Sequence, residues 1–115
     1  MDFTSIEKND VAIIKVTLNR ATLKEAEEFK INLASQMRSG KQKLVVDLSD
    51  CDFIDSTFLG TLVVTLKKVT SVGGDLRLVG FKPAVRSMFE LTRMYRVFET
   101  FKTSEEAVKS FSAKD

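Results

Sequence analysis

Leu44-Val45-Val46-Asp47-Leu48-Ser49-Asp50-Cys51-Asp52-Phe53-Ile54-Asp55-Ser56-Thr57-Phe58-Leu59-Gly60 is the stretch on which the reading of this chain turns. It opens on a short, nearly continuous apolar run, Leu44 to Leu48. A strand buried on both faces of a parallel sheet reads that way. It closes on the start of a helix over Ser56 to Ser71. There Leu59, Leu62, Val63, Leu66 and Val69 fall on one stripe of period 3.6, and Gly73-Gly74 stops the run. Between strand and helix lies an aspartate-rich loop, so the stretch is one strand–loop–helix unit.

The same alternation continues outward in both directions. Upstream, Val11, Ile13, Ile14, Val16 and Leu18 mark a strand. It pairs as a hairpin with a weaker strand at Phe3 to Glu7, turned by Lys8-Asn9-Asp10. Thr22 to Ser39 is predicted as a helix: Thr22 and Glu25 have capping-box spacing, Leu23, Ala26, Phe29, Leu33 and Met37 trace one face, and Gly40 ends it as a left-handed cap. Downstream, Leu76 to Val79 is a strand. Pro83 opens a helix at its first turn, with Val85, Met88 and Phe89 inward. Arg96 to Phe101 reads as a last strand. Thr103 with Glu106 caps a final helix carrying Ala107, Val108 and Phe111.

The predicted order is β-β-α-β-α-β-α-β-α, an α/β fold with a mixed, mainly parallel sheet and about four helices. Leu23, Phe29, Leu33, Leu62, Val63 and Leu66 are expected to bury against Val45, Val46, Leu48 and Leu78. Ligands and partners usually meet such a sheet at the carboxyl ends of its parallel strands. Three loops should converge on that edge: residues 19–21, 49–55 and 80–83.

Composition narrows the chemistry. A chain of 115 residues is one domain's worth, and no linker or repeat divides it, so residues 1–115 are read as one domain. Its 43% hydrophobic and 30% charged residues are a folded, soluble balance. A net charge of +2 is too even to imply nucleic acid or an anionic membrane. Without histidine, Ser-His-Asp and Cys-His catalysis and His-ligated metals are excluded. One cysteine permits no intrachain disulfide. Met1 to Glu7 lacks the basic and apolar regions of a signal peptide, and no apolar run nears the roughly 20 residues of a bilayer span. The expected compartment is the cytoplasm.

Four groups of residues are candidates for chemistry. Asp55-Ser56-Thr57 enters a helix, where all three types serve as caps. A helix start also tolerates a phosphoryl group, which gives Ser56 a second reading. As a hydrolytic nucleophile Ser56 lacks both a GxSxG setting and a base. Asp47, Asp50, Asp52 and Asp55 could hold Mg²⁺ or accept a phosphoryl group, but loop aspartates more often form turns. Cys51 has no basic sequence neighbour to activate it and reads as structural. Phe81, Phe89, Tyr95, Phe98 and Phe101, interleaved with Lys82, Arg86, Arg93 and Arg96, could suggest RNA. Their core spacing and the nearby glutamates favour core aromatics beneath a solvated face. Gly73-Gly74 and Gly80 make no phosphate loop.

Residues 44–60 resemble the core motif of STAS domains, the bacterial anti-sigma factor antagonists. That motif is an apolar strand, Asp-Leu, a short loop and Phe-Ile-Asp-Ser-(Ser/Thr)-Gly-Leu-Gly. Gly73 to Val79 and Pro83 to Leu91 are similar to the family's fourth strand and third helix, so the resemblance spans essentially the whole chain. It implies a non-enzymatic switch without cofactor, metal or catalytic residues. The unphosphorylated antagonist binds an anti-sigma factor that is also a serine kinase, and a sigma factor is released. The kinase then phosphorylates the serine after the motif aspartate, here Ser56, and the complex weakens until a phosphatase resets it. The resemblance implies a partner-binding face around Asp55, Ser56, Thr57 and Phe58; Arg20 and Lys82, on the two other converging loops, are expected to join it, and the free protein is expected to be a monomer. Two departures stand out. Phe58 replaces the family's glycine and is expected to project toward the partner. The family often carries Gly-Glu-Leu-Asp after the second strand; here the stretch is Leu18-Asn19-Arg20-Ala21-Thr22, and the aspartate that sits beside the phosphorylation site is not carried over. The second departure leaves two alternatives, a STAS scaffold that assembles without phosphorylation and a sensor of a small anion or nucleotide.

Overall fold

The computed structural model describes residues 2–112. Strands β1 (Phe3–Lys8) and β2 (Val11–Val16) form the predicted hairpin. Asn9 and Asp10 lie at φ 53° and 61°, which is how a two-residue turn matches the twist of its strands. A two-residue strand β3 (Arg20–Ala21) leads into α1 (Leu23–Arg38). There follow β4 (Lys43–Asp47), a second two-residue strand β5 (Phe53–Ile54), α2 (Ser56–Thr70), β6 (Asp75–Val79), α3 (Pro83–Leu91), β7 (Thr100–Phe101) and α4 (Ser104–Ser112).

The main sheet runs β1-β2-β4-β6-β7, with only the β1–β2 pair antiparallel. This is the expected mixed, mainly parallel α/β arrangement. Helices α1, α2 and α3 cover one face over a core that includes Ile14, Phe29, Leu33, Leu44, Val46, Leu62 and Leu78. Helix α4 covers the other, against Val11, Ile13, Val45 and Val79. Side chains alternate faces along a strand, so Val45 turns away from its neighbours Leu44 and Val46. The expectation that Val45 packs under the first two helices is therefore corrected: it meets α4.

Two other expectations change. Leu23 was placed in the core but is 68% exposed. It is the first residue of α1, and helical side chains tilt toward the N-terminus, so its side chain points past the end of the layer it was expected to join. The last strand, expected over Arg96 to Phe101, is only Thr100–Phe101. Met94–Arg96 instead form a 3₁₀ turn entered through Arg93 at φ 60°. The apolar residues there split: Phe98 is buried, while Tyr95 and Val97 face outward, so Tyr95 is not one of the core aromatics.

Candidate functional site

Three loops meet at the carboxyl edge of the parallel strands, as the alternation predicted. The Asp52 and Phe53 N–H groups donate to the Asn19 carbonyl at 2.7 and 3.2 Å, and the Asp55 N–H donates to the Ala21 carbonyl at 3.0 Å. These bonds continue the short parallel ladder β3–β5, which pairs Arg20 with Phe53 and Ala21 with Ile54. The third loop is held by an ion pair, Lys82 Nζ to Asp52 Oδ1 at 2.9 Å. It also crosses the second loop closely. A Cβ on Gly80, whose φ is +81°, would lie 2.7 Å from the Ser49 Cβ.

Asp55 ties two helix starts together. Its Oδ1 accepts the Phe58 N–H at 2.9 Å, capping α2. Its Oδ2 accepts the Leu23 N–H at 2.8 Å, at the first turn of α1. Helix α1 carries its own capping box, with the Thr22 N–H donating to Glu25 Oε1 at 3.0 Å. One carboxylate thus satisfies an orphan donor on each of two helices, each the positive end of a helix dipole. Asp55, not Ser56, is the cap of α2. Ser56 is its first residue and is exposed, as is Thr57.

Phe58 departs from its expected place. It is fully buried and stacks on Phe29, ring centroids 4.5 Å apart at 10°, and Phe29 stacks on Phe3 at 5.1 Å. A ring in that position faces the core and cannot touch a partner. The helical spacing explains it: Phe58 lies four residues before Leu62, on the buried stripe of α2. The counterpart on α1, Phe29, was legible as a core residue, but its pairing with Phe58 was not.

The two basic residues differ. Lys82 is held by Asp52. The Arg20 guanidinium lies 4.4 Å from the centroid of the Phe53 ring. Among the described residues, no carboxylate lies within ion-pair distance of Arg20. Phe53, Ile54, Asp55 and Ser56 line a shallow groove whose other wall is Ala84 and Met88 of α3.

The four loop aspartates go separate ways. Asp47 accepts the Ser49 N–H at 2.9 Å, Asp50 lies 3.9 Å from Lys15, Asp52 pairs with Lys82, and Asp55 caps the helices. Among the described residues no three acidic, cysteine or histidine groups are placed to share a metal ion. Cys51 is fully buried. Burial, with Asp50 and Asp47 nearby, pushes its thiol pKa up to about 12, against a smaller opposing effect of Lys82. A thiol held protonated is a poor nucleophile.

A mainly parallel sheet with three helices on one face, one on the other, and a serine at the start of α2 defines a class. Residues 5–107 match the STAS domain family, and the chain belongs to it. It is 31% identical over 101 residues to BtrV of Bordetella bronchiseptica, a candidate anti-sigma factor antagonist, covering 88% of this chain and 84% of that one. A crystal structure of a candidate anti-sigma factor antagonist from Thermotoga maritima superposes with a TM-score of 0.85 at 30% identity, over 94% of this chain and 92% of that one. The phosphorylated form of the Bacillus cell fate determinant SpoIIAA superposes at 0.73 with 16% identity, over 95% and 98% of the two chains, a likeness of fold alone. No helix among the described residues is long and apolar enough to cross a membrane.

Proposed function

We propose that this chain is an anti-sigma factor antagonist switched at Ser56. The unmodified protein binds an anti-sigma factor with serine kinase activity and so frees a sigma factor. The kinase transfers the γ-phosphoryl group of ATP to the Ser56 hydroxyl, releasing ADP and the hydroxyl proton. The complex then weakens until a phosphatase removes the phosphate. The protein itself catalyses nothing, acts in the cytoplasm and is a monomer when free. The observation that carries this reading is the exposed Ser56 hydroxyl at the first residue of α2, beside a groove, in a chain of the STAS family.

The mechanism is electrostatic. A phosphoserine adds about −1.5 to −2 charges at neutral pH. An uncompensated charge buried in an interface costs several kcal/mol, and about 3 kcal/mol lowers affinity roughly a hundredfold. Asp55, Thr57, Arg20 and Lys82 share the surface that would meet the partner. Phe58 supports that surface from below.

The test is labelling by the cognate kinase, mapping of the modified residue, and affinity measured on both forms. Ser56→Ala should abolish labelling and keep binding. Because Asp55 holds the cap, it should cost less than about 0.5 kcal/mol of stability, the usual size of a surface substitution. Thr57→Ala should still be labelled. Phosphate mapped to Thr57, or a phospho-Ser56 protein that binds as tightly as the unmodified one, would overturn the switch. Stable assembly with no labelling at all would favour the scaffold reading.

A further inference from the structure

We propose that Arg20 is an internal phosphate clamp: once Ser56 carries a phosphate, the Arg20 guanidinium leaves the Phe53 ring and pairs with it. This rests on the reading of Ser56 as the modified residue. Three observations place the guanidinium for that role. The β3–β5 ladder sets Arg20 directly across from Phe53. The guanidinium lies on the Phe53 ring, which borders the same groove as Ser56. Ser56 follows Phe53 by three residues, at most about 10 Å of extended chain. An arginine and a phosphoserine side chain can close that span between them.

The second part of the argument is availability. Lys82 is spent on Asp52. Asp55 gives one oxygen to each helix start, and Glu25 accepts the Thr22 N–H, so these two carboxylates are engaged in capping. Among the described residues, the Arg20 guanidinium shows only the aromatic contact, a weak interaction at an exposed site. A charge-assisted, bidentate guanidinium–phosphate pair is the stronger interaction. Lys24 is an exposed cation in the first turn of α1. It is the natural control, because a lysine offers a point charge without the planar fork.

The consequence deepens the switch. In the unmodified protein the guanidinium is part of the surface that meets the partner. Captured by the phosphate, it is withdrawn from that surface. Phosphorylation then alters the face twice, by adding an anion and by occupying a cation.

The test uses the full chain with phosphoserine installed at position 56 by genetic encoding, so no kinase is needed. The second ionisation of the phosphate is followed by ³¹P NMR against pH. An adjacent guanidinium favours the dianion and lowers that midpoint. Replacing Arg20 by alanine should raise it by about half a unit or more, Arg20→Lys should restore part of the depression, and Lys24→Ala should leave it within about 0.2 units. The Phe53 ring resonances should shift further on phosphorylation in the wild-type chain, where the guanidinium leaves the ring, than in Arg20→Ala. Equal midpoints for wild type and Arg20→Ala, or a depression lost in Lys24→Ala instead, would overturn the clamp. A kinase that fails to label Ser56 would overturn the proposed function and leave this titration standing, so the two failures are distinguishable.

Discussion

Replacing Phe58 by alanine tests whether the aromatic in the first turn of α2 belongs to the core. The ring is fully buried and stacked 4.5 Å from Phe29, which is itself fully buried. Truncating a buried phenylalanine to alanine costs about 3–5 kcal/mol, through lost transfer energy and the cavity left behind. A total stability of roughly 5–15 kcal/mol is typical of a domain this size, so the variant should fold but be marginal. At about 4 kcal/mol the melting temperature should fall by roughly 15–25 °C. Phe58→Gly should be worse still, by up to about 1 kcal/mol, because glycine is less favourable than alanine in a helix. Urea unfolding followed by circular dichroism gives the free energies. A double-mutant cycle between Phe29→Leu and Phe58→Leu gives the stacking energy, expected at about 0.5–1.5 kcal/mol. A loss below about 1 kcal/mol for Phe58→Ala, with an unchanged melting temperature, would show that the ring is not part of the core.

Asp55→Ala should cost about 1.5–3 kcal/mol, because it strands an N–H on each of α1 and α2. Asp55→Ser, which can cap α2 but is too short to reach Leu23, should recover about half of that; equal losses in urea unfolding would deny that the carboxylate serves both helices. Gly80→Ala should destabilise by about 1–3 kcal/mol, since the added Cβ meets Ser49 and the residue sits at φ +81°; an unchanged thermal midpoint would refute the close crossing. Cys51 titrates near 12 when folded against 9.0 for the ordinary thiol. Its alkylation by iodoacetamide at pH 8 should therefore be about a thousandfold slower in the native protein than in urea. The same raised value has a sign for stability. The folded state holds its proton more tightly, so the contribution is complete below pH 9 and is lost as pH climbs toward 12. Alkylation at equal rates in the two states would contradict the burial.

The strands and helices were legible because each carries its own period and punctuation. The alternation of Val11 to Leu18, the apolar run at Leu44, the Thr22–Glu25 box and Pro83 each correspond to an element found in place. The convergence of three loops followed from topology alone. What escaped the sequence was decided by contacts between segments far apart in the chain. The β3–β5 ladder has two residues per strand, too few to show a period. Whether Phe58 faces inward depends on Phe29, twenty-nine positions away, and a phenylalanine in the first turn reads equally well as core or as surface. The cap of α2 was ambiguous among Asp55, Ser56 and Thr57, since all three residue types serve. The Phe58 and Leu23 N–H groups together single out Asp55, because its two carboxylate oxygens point one to each helix start.

That division of labour bears on how a small modification could act. The residue that would be modified is not the residue that holds the local structure. Asp55 fastens α2 to α1, and the Phe3–Phe29–Phe58 stack supports the first turn of α2 from the core side. Ser56 sits between them with its side chain exposed and no capping role. Had Ser56 been the cap, a phosphate there would have disturbed the helix start, and any effect on binding would have been mixed with local unfolding. With the cap on its neighbour, charge can be added while the backbone of both helix starts keeps its partners. The two positive helix ends also lessen the electrostatic cost of placing a second anion beside Asp55. A change in affinity can then arise from charge at the surface without a change in fold. For the same reason Ser56→Asp is a fair mimic of charge: it should weaken partner binding while leaving the unfolding midpoint within about 0.5 kcal/mol of wild type. A large loss of stability in Ser56→Asp, comparable to that of Asp55→Ala, would mean that cap and modified residue are not separable after all.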